Sequence, residues 1–172
     1  MSWSRRRLLS AAALSTVAAA ASACGLRPLY GERGVTASAK QQLTRVRIEN
    51  IPERSGQILR NELIDRFYAG NGPGDSTYRL NVSLSISETR TVIRADDTSL
   101  RRLVTAVARY QLQDAGTGGV VTSGTLSTSA TFPFQEAQYG ILVARETVTR
   151  DLLVALADDI TTRVALYFAR ET

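Results

Sequence analysis

Four arginines lie within thirteen residues near the middle of the chain, in the sequence R-T-V-I-R-A-D-D-T-S-L-R-R. They are Arg90, Arg94, Arg101 and Arg102. Guanidinium groups gathered at one end of a sheet can bind phosphates or other anions through paired hydrogen bonds. The alternative is ordinary charged surface, because Asp96 and Asp97 lie in the same segment and can neutralise it. The sequence leaves both interpretations of this arginine cluster open.

The chain contains no histidine. This excludes catalytic triads built on imidazole and zinc sites ligated by histidine. Two pairs of adjacent carboxylates, at 96–97 and 158–159, are interpreted as solvated charge, because neighbouring side chains point apart. The glycine-rich stretch 116–119 lacks the Lys-Ser or Lys-Thr of a phosphate loop. We therefore expect no catalysed reaction, no metal and no cofactor.

The N-terminal residues have the composition of a secretory signal peptide. Three arginines, Arg5 to Arg7, precede the uncharged run Leu8 to Ala23, which is mostly Leu, Ala and Val. The run is shorter than the ~20 residues that an α-helix needs to cross a bilayer core. We therefore predict that residues 1–23 are a signal peptide that is removed, by either the Sec or the twin-arginine export route.

Cys24 is the only cysteine, so no intramolecular disulfide can form. It directly follows Ala21-Ser22-Ala23, which resembles the lipobox of bacterial lipoproteins, although Ala21 stands where Leu is preferred. The resemblance implies that Cys24 is lipidated, and two or more acyl chains anchor a protein stably. The alternative is an ordinary signal cleavage site that leaves Cys24 as a free thiol. Because Gly25 rather than Asp follows, we expect the lipid anchor to lie at the periplasmic face of the outer membrane.

The charge of the mature chain is low. Of the 21 Lys and Arg residues, three leave with the signal, so the formal charge falls from +5 to +2 against 16 acidic residues. A nucleic-acid-binding protein needs a larger basic surface. We expect no nucleic-acid partner.

The sequence after Cys24 divides into a tether and one domain. Residues 24–42 show no clear period and are predicted to form the lipidated N-terminus and tether, whereas residues 43–172 form a single domain. A short strand is predicted at 46–51, ended by Pro52. A helix capped by Ser55 follows, with Leu59, Leu63 and Phe67 on its buried stripe, and ends near residue 69.

Three strands and a long helix complete the predicted domain. Apolar and polar residues alternate at 78–87, at 103–113 and at 120–132, where Val120, Leu126 and Phe132 are expected to face the core and Val121 the solvent. Residues 114–119 form a hairpin turn. Helical spacing extends from 137 to 169, with Leu152, Ala155 and Ile160 among the buried positions. The Ser- and Thr-rich face of the sheet is either hydrated surface or a binding surface for a sugar or a partner.

The order β-α-β-β-β-α predicts a two-layer α/β (α+β) sandwich. It consists of one mainly antiparallel four-stranded sheet with two helices on one face. A sheet with one polar face needs helices on the other face only.

The start of the mature chain, C-G-L-R-P-L-Y-G from Cys24 to Gly31, together with this element order, resembles the alphaproteobacterial branch of the LptE family of lipopolysaccharide-assembly lipoproteins. The resemblance covers the whole chain. It implies an outer-membrane lipoprotein that plugs the β-barrel LptD, assists the assembly of that barrel, and takes part in delivering lipopolysaccharide to the outer leaflet. The arginine cluster would then be the place to contact either the lipid A phosphates of lipopolysaccharide or the barrel lumen. The alternative function is an auxiliary lipoprotein of a periplasmic lipid-trafficking ABC system.

Overall fold

The computed structural model describes residues 37–69, 72–92, 100–133 and 138–171. Within these ranges the chain forms three helices and four strands. In chain order they are α1 (Ala37–Leu43), β1 (Val46–Ile48), α2 (Glu53–Tyr68), β2 (Tyr78–Val92), β3 (Leu100–Asp114), β4 (Val120–Pro133) and α3 (Gln138–Glu171). The helices lie on one side of a single sheet, which confirms the predicted two-layer sandwich.

The four strands have the order β1-β2-β3-β4 in one mixed sheet. β2, β3 and β4 form an antiparallel meander along nearly their full lengths. β1 pairs in parallel with the first three residues of β2 only, from Val46 opposite Tyr78 to Ile48 opposite Leu80. Parallel neighbours require a crossover, which α2 provides.

Alternation along the strands gives the sheet a covered face and an open face. Leu80 and Val82 of β2, and Val104 and Leu112 of β3, are buried beneath the helices. The opposite face is named here the open face, and it carries mainly Ser and Thr from β2 and β4, of which Ser127 is exposed. The arms of the β2–β3 hairpin extend beyond the predicted 78–87 and 103–113, because their ends are polar and lack the apolar alternation that marked the strands.

The predicted orientation of Val120 is wrong. Leu112 pairs with Thr122 but Gln113 pairs with Val120, so Val121 is an extra residue in β4. This β-bulge shifts the alternation by one position. Val120 is 53% exposed, and Val121 packs against the core instead. The predicted core positions Leu126 and Phe132 are confirmed as buried.

Helix α2 buries Leu59, Leu63 and Phe67, as its spacing predicted. Ser55 is not its cap. The helix begins two residues earlier, after Pro52, whose backbone is extended and which makes no side-chain capping bond. The start of a helix tolerates proline, because the first backbone N–H groups of a helix have no partner within it. The helix ends at Tyr68 and is followed by its C-cap Ala69, which adopts the left-handed conformation with φ 44°.

Helix α3 is 34 residues long and supplies much of the core. Leu152, Leu156 and Ile160 are buried, whereas Ala155, predicted to be buried, is exposed. The buried stripe is wider towards Leu153 and Leu156 than the predicted one. In the described part of the chain, no helix has the length and hydropathy needed to span a membrane.

Helix α1 includes the last six residues of the segment 24–42 that was predicted to be a tether, together with Leu43. Ala39 and Leu43 of this helix are buried, at 0% and 4% exposure, and belong to the core. The helix has only seven residues, fewer than two full turns, so its apolar spacing produced no clear period in the sequence. The packed core therefore includes residues that precede position 43.

Candidate functional site

Where the end of β2 pairs with the start of β3, the two strands carry charged residues on the covered face, next to the apolar residues Leu84, Ile86 and Val104. Glu88 of β2 continues the row of Leu84 and Ile86, and its carboxylate accepts a hydrogen bond from Arg102 of β3, with Oε1 and Nη1 2.5 Å apart. The other carboxylate oxygen lies 3.3 Å from Nε of Arg145 on α3. These three residues, named the Glu88 network, join the sheet to the helix layer.

The Glu88 network is partly shielded from water. The side chains of Glu88 and Arg102 are 19% and 23% exposed, whereas Arg145 is 59% exposed. One carboxylate therefore compensates two guanidinium groups, and both its oxygens are used. Hydrogen bonds between ionised groups are the stronger kind, so this network fixes the end of the hairpin against α3.

The structure separates the predicted arginine cluster into different positions. Arg102 points to the covered face and binds Glu88. Arg101 is exposed and, as the adjacent residue in the strand, lies on the open face. Arg90 is the cross-strand neighbour of Arg102 in the register of β2 and β3. Arg94 lies outside the described residues, and so does Cys24.

A cleft of about 760 Å³ adjoins the Glu88 network between the helix layer and the sheet. Its floor is apolar and includes Ile58, Leu84, Ile86, Val104 and Leu142. Leu142 is 63% exposed although helical spacing places it on the same side of α3 as Leu153 and Ile160. The helix layer and the sheet are therefore further apart here, and side chains do not fill the space between them.

The rim of this cleft is charged. Arg54 at the start of α2 lies 3.2 Å from the carboxylate of Glu146 on α3, and Arg145 and Arg150 also line the opening. The pair Arg54–Glu146 is exposed to solvent, at 86% and 65% of the two side chains. An apolar floor beneath charged groups can hold an amphiphile or an apolar side chain of a partner.

Sequence reasoning missed the Glu88 network and the cleft. The sequence contained one usable signal for the network. Glu88 follows Leu84 and Ile86 in strict alternation and so stands at a core-facing position, where an unpaired carboxylate would be costly. The contribution of Arg145 could not be found in the same way, because it depends on how α3 lies across the sheet.

The structure describes one of the two carboxylate pairs that the sequence predicted to be solvated charge, Asp158 and Asp159, and both are exposed on α3. Asp158 on α3 lies 2.6 Å from Nε of Arg66 on α2, and Glu62 lies 2.6 Å from Nη1 of the same arginine. The hydrogen bond to Asp158 is the main cause that raises the pKa of Arg66. Asp96 and Asp97 fall outside the described residues. Over the ranges that the structure describes, no three acidic side chains are grouped to hold a metal ion.

Solved structures share this fold. A lipoprotein from Caulobacter crescentus CB15 has a TM-score of 0.63 at 21% identity, with 77% of this chain and 97% of that chain covered. A minor lipoprotein from Acinetobacter baumannii gives 0.54 at 16% identity, with coverage of 72% and 92%. The rare lipoprotein B from Shewanella oneidensis gives 0.50 at 8% identity, with coverage of 73% and 92%. At these identities the similarity shows the fold alone.

Curated protein sequences include none that matches the chain. The sequence model of the LptE family, described as lipopolysaccharide-assembly, matches residues 43–164. The matched span begins at the last residue of α1, includes the whole sheet and the cleft, and ends within α3. Because this match covers well over half of the sequence, the chain belongs to the LptE family of lipopolysaccharide-assembly lipoproteins.

Proposed function

We propose that this chain is an outer-membrane lipoprotein that occupies the lumen of an LptD-type β-barrel, assists the assembly of that barrel, and takes part in delivering lipopolysaccharide to the outer leaflet. The observation that carries the proposal is the family match over residues 43–164. The signal peptide pattern and Cys24 support attachment to the membrane by lipid. A plug inside a barrel needs a compact domain and no catalysed reaction, and we expect none.

The first test identifies the partner. The tagged full-length protein is purified from outer membranes of its host in mild detergent, and the species that co-purify are identified by mass spectrometry. We expect one large β-barrel in about equal amount. Recovery of subunits of an ABC transport system without a barrel would overturn the proposal and favour the auxiliary lipoprotein of a lipid-trafficking system.

We also propose that the β2–β3 hairpin end contacts phosphate groups of lipopolysaccharide through Arg90, Arg94, Arg101 and Arg102. Among these, Arg101 is exposed on the open face, whereas Arg102 is held by Glu88. Of these two described side chains, Arg101 is the one whose guanidinium is better placed to reach an anion from solution. The apolar floor of the cleft lies on the opposite face of the same hairpin end.

The second test compares two arginines of β3. Arg101 and Arg109 are both exposed on the open face, eight residues apart, so Arg109→Gln is a matched control for Arg101→Gln. We expect Arg101→Gln to weaken binding of lipopolysaccharide several-fold in a fluorescence titration and Arg109→Gln to leave it unchanged. Equal affinity of both variants and the wild type would show that the hairpin end does not bind the ligand through Arg101.

A further inference from the structure

A row of four residues crosses the open face of the sheet near the start of β2. The strand register makes each residue the neighbour of the next, and in order they are Arg47 of β1, Arg79 of β2, Gln113 of β3 and Val120 of β4. This set is named the Arg79 row. Arg47 lies between two buried residues of β1, so its side chain points to the open face. Arg47 and Arg79 are exposed, and Val120 is 53% exposed.

The Arg79 row has a surplus of positive charge. Neighbouring strands lie ~4.8 Å apart, so the register brings Arg47 and Arg79 side by side, and like charges in such positions repel. Glu49 lies 4.0 Å from Arg47. In the described part of the chain no ion pair joins Arg79 to an acidic side chain. Over their described residues, β2, β3 and β4 place no Asp or Glu on the open face. An acidic partner would offset this surplus.

The bulge at Val121 adds an apolar side chain to the Arg79 row. Strict alternation would turn Val120 towards the core, and the extra residue turns it to the open face instead. Bulges that re-aim a side chain in this way are often functional features. Among the described residues, the other exposed large apolar side chains all lie on α3. An apolar residue beside arginines, with acidic residues absent, is the composition typical of a protein interface.

We propose that the Arg79 row docks on an acidic, polar patch of the lumen wall of the barrel partner, an inference that rests on the proposed function. The interior of a membrane barrel is polar. A single small anion would engage the two arginines and leave Val120 in water. A protein surface can cover the whole row, which spans four strands, or about 14 Å.

The open face around the Arg79 row suits a broad contact. It carries mainly Ser and Thr hydroxyls, which both donate and accept hydrogen bonds. Strands of fourteen or fifteen residues are about 50 Å long at ~3.4 Å per residue. Three such strands give a face of about 700 Å², close to the ~800 Å² that each partner contributes to a standard interface.

The first experiment reverses one charge of the row. Arg79→Glu is compared with Arg163→Glu, which makes the same change at an exposed arginine of α3 in the helix layer. Each tagged full-length protein is purified from outer membranes in mild detergent, and the co-purified barrel is quantified. We expect several-fold less barrel with Arg79→Glu and an unchanged amount with Arg163→Glu. Arg79→Glu places a carboxylate beside Arg47, so the midpoint of its urea denaturation should be no lower than that of the wild type.

The outcomes separate this inference from the proposed function. If Arg79→Glu recovers as much barrel as the wild type, the docking surface is overturned and the barrel partner stands. If the wild type recovers no barrel, both are overturned. If Arg79→Glu keeps its barrel but binds vesicles containing lipopolysaccharide more weakly, the row binds a lipid anion, which also overturns the inference.

The second experiment uses photo-cross-linking in cells and does not alter the charge of the row. The photoreactive amino acid p-benzoylphenylalanine replaces Val120 or, as the control, Leu166, an exposed apolar residue of α3. After irradiation we expect an adduct with the barrel that is several-fold more abundant from position 120 than from position 166. Equal yields, or a higher yield from position 166, would contradict docking through the open face.

Discussion

Glu88 has the strongest structural role among the charged residues of the candidate site. Its carboxylate lies between guanidinium groups from the sheet and from α3, and less than a quarter of either Glu88 or Arg102 is exposed. An ion pair that is partly withdrawn from water loses more when one partner is removed than a surface pair does, because the remaining charge stays desolvated. The pair Arg54–Glu146 joins α2 and α3 at the surface and provides the comparison.

We expect Glu88→Gln to lower the free energy of unfolding by about 1.5–3 kcal/mol, the range for hydrogen bonds that involve charged groups. Glu146→Gln, which breaks an exposed pair, should change it by less than about 1 kcal/mol. Urea denaturation followed by circular dichroism measures both values. Equal effects of the two substitutions would mean that the Glu88 network is no more stabilising than a surface ion pair.

Gly56 in α2 is required because the helix backbone approaches Ile51 closely at this position, and not because glycine is flexible. A Cβ atom at this position would lie 2.7 Å from Cγ2 and 2.8 Å from the carbonyl oxygen of Ile51, which is buried. We expect Gly56→Ala to lower the free energy of unfolding, because overpacking costs about 1–3 kcal/mol and helix propensity returns only about 1 kcal/mol.

Gly74→Ala is the matched control for this substitution. Its Cβ would lie 3.5 Å from the nearest atom, the carbonyl oxygen of Thr44, which is an ordinary contact. The free energy of unfolding should change by less than about 0.5 kcal/mol. Urea denaturation of both variants tests the comparison, and a Gly56→Ala variant as stable as the wild type would show that Ile51 can move aside.

Periodicity predicted those helices and strands that bury apolar residues. The stripe of Leu59, Leu63 and Phe67 and the inward position of Leu126 follow from spacing alone. The bulge at Val121 could not be predicted, because one extra residue changes pairing without changing composition. The parallel pairing of β1 with β2 could not be predicted either, because it depends on which strand lies beside β1 once α2 has packed. The candidate site was predicted least well, since the Glu88 network requires the crossing of α3 over the hairpin.

A hydrogen-bonded carboxylate in the turn between β3 and β4 makes the stability of the fold depend on pH. Oδ1 of Asp114 accepts hydrogen bonds from the backbone N–H of Thr117 at 2.7 Å, the Thr117 hydroxyl at 3.0 Å and the backbone N–H of Gly116 at 3.0 Å. These bonds, led by the backbone N–H of Thr117, lower the pKa of Asp114. The carboxylate therefore stabilises the folded state above its unfolded pKa of ~3.9, and this stability is lost as the pH falls through the lower folded pKa.

Replacement of Thr117 by alanine removes one of these three donors. We expect the pKa of Asp114 to rise towards its ordinary value in Thr117→Ala, while the two backbone donors keep part of the shift. NMR titration of the carboxyl carbon measures it. Thr125→Ala, an exposed hydroxyl of β4, is the control and should leave the titration unchanged. An unaltered curve in Thr117→Ala would assign the whole shift to the backbone.

The predicted lipid attachment can be tested separately from the fold of the domain. The core consists of residues from Ala39 onwards within the described ranges, so Cys24→Ala should leave the domain folded. We expect this variant to leave the membrane fraction or to keep its signal peptide. Fractionation and intact mass measure both results. A normally cleaved variant that still sediments with membranes would contradict lipid anchoring at Cys24.

The short parallel contact of β1 has a consequence for the order of folding. β2, β3 and β4 pair with their direct neighbours along the chain through hairpins, whereas β1 reaches β2 only after α2 has been traversed. Contacts between distant residues pay a larger loop-closure entropy and form later. With three residue pairs, β1 is expected to join last and to detach first. Mechanical tension from an N-terminal membrane anchor would reach this strand before the meander, which can stay folded while β1 releases.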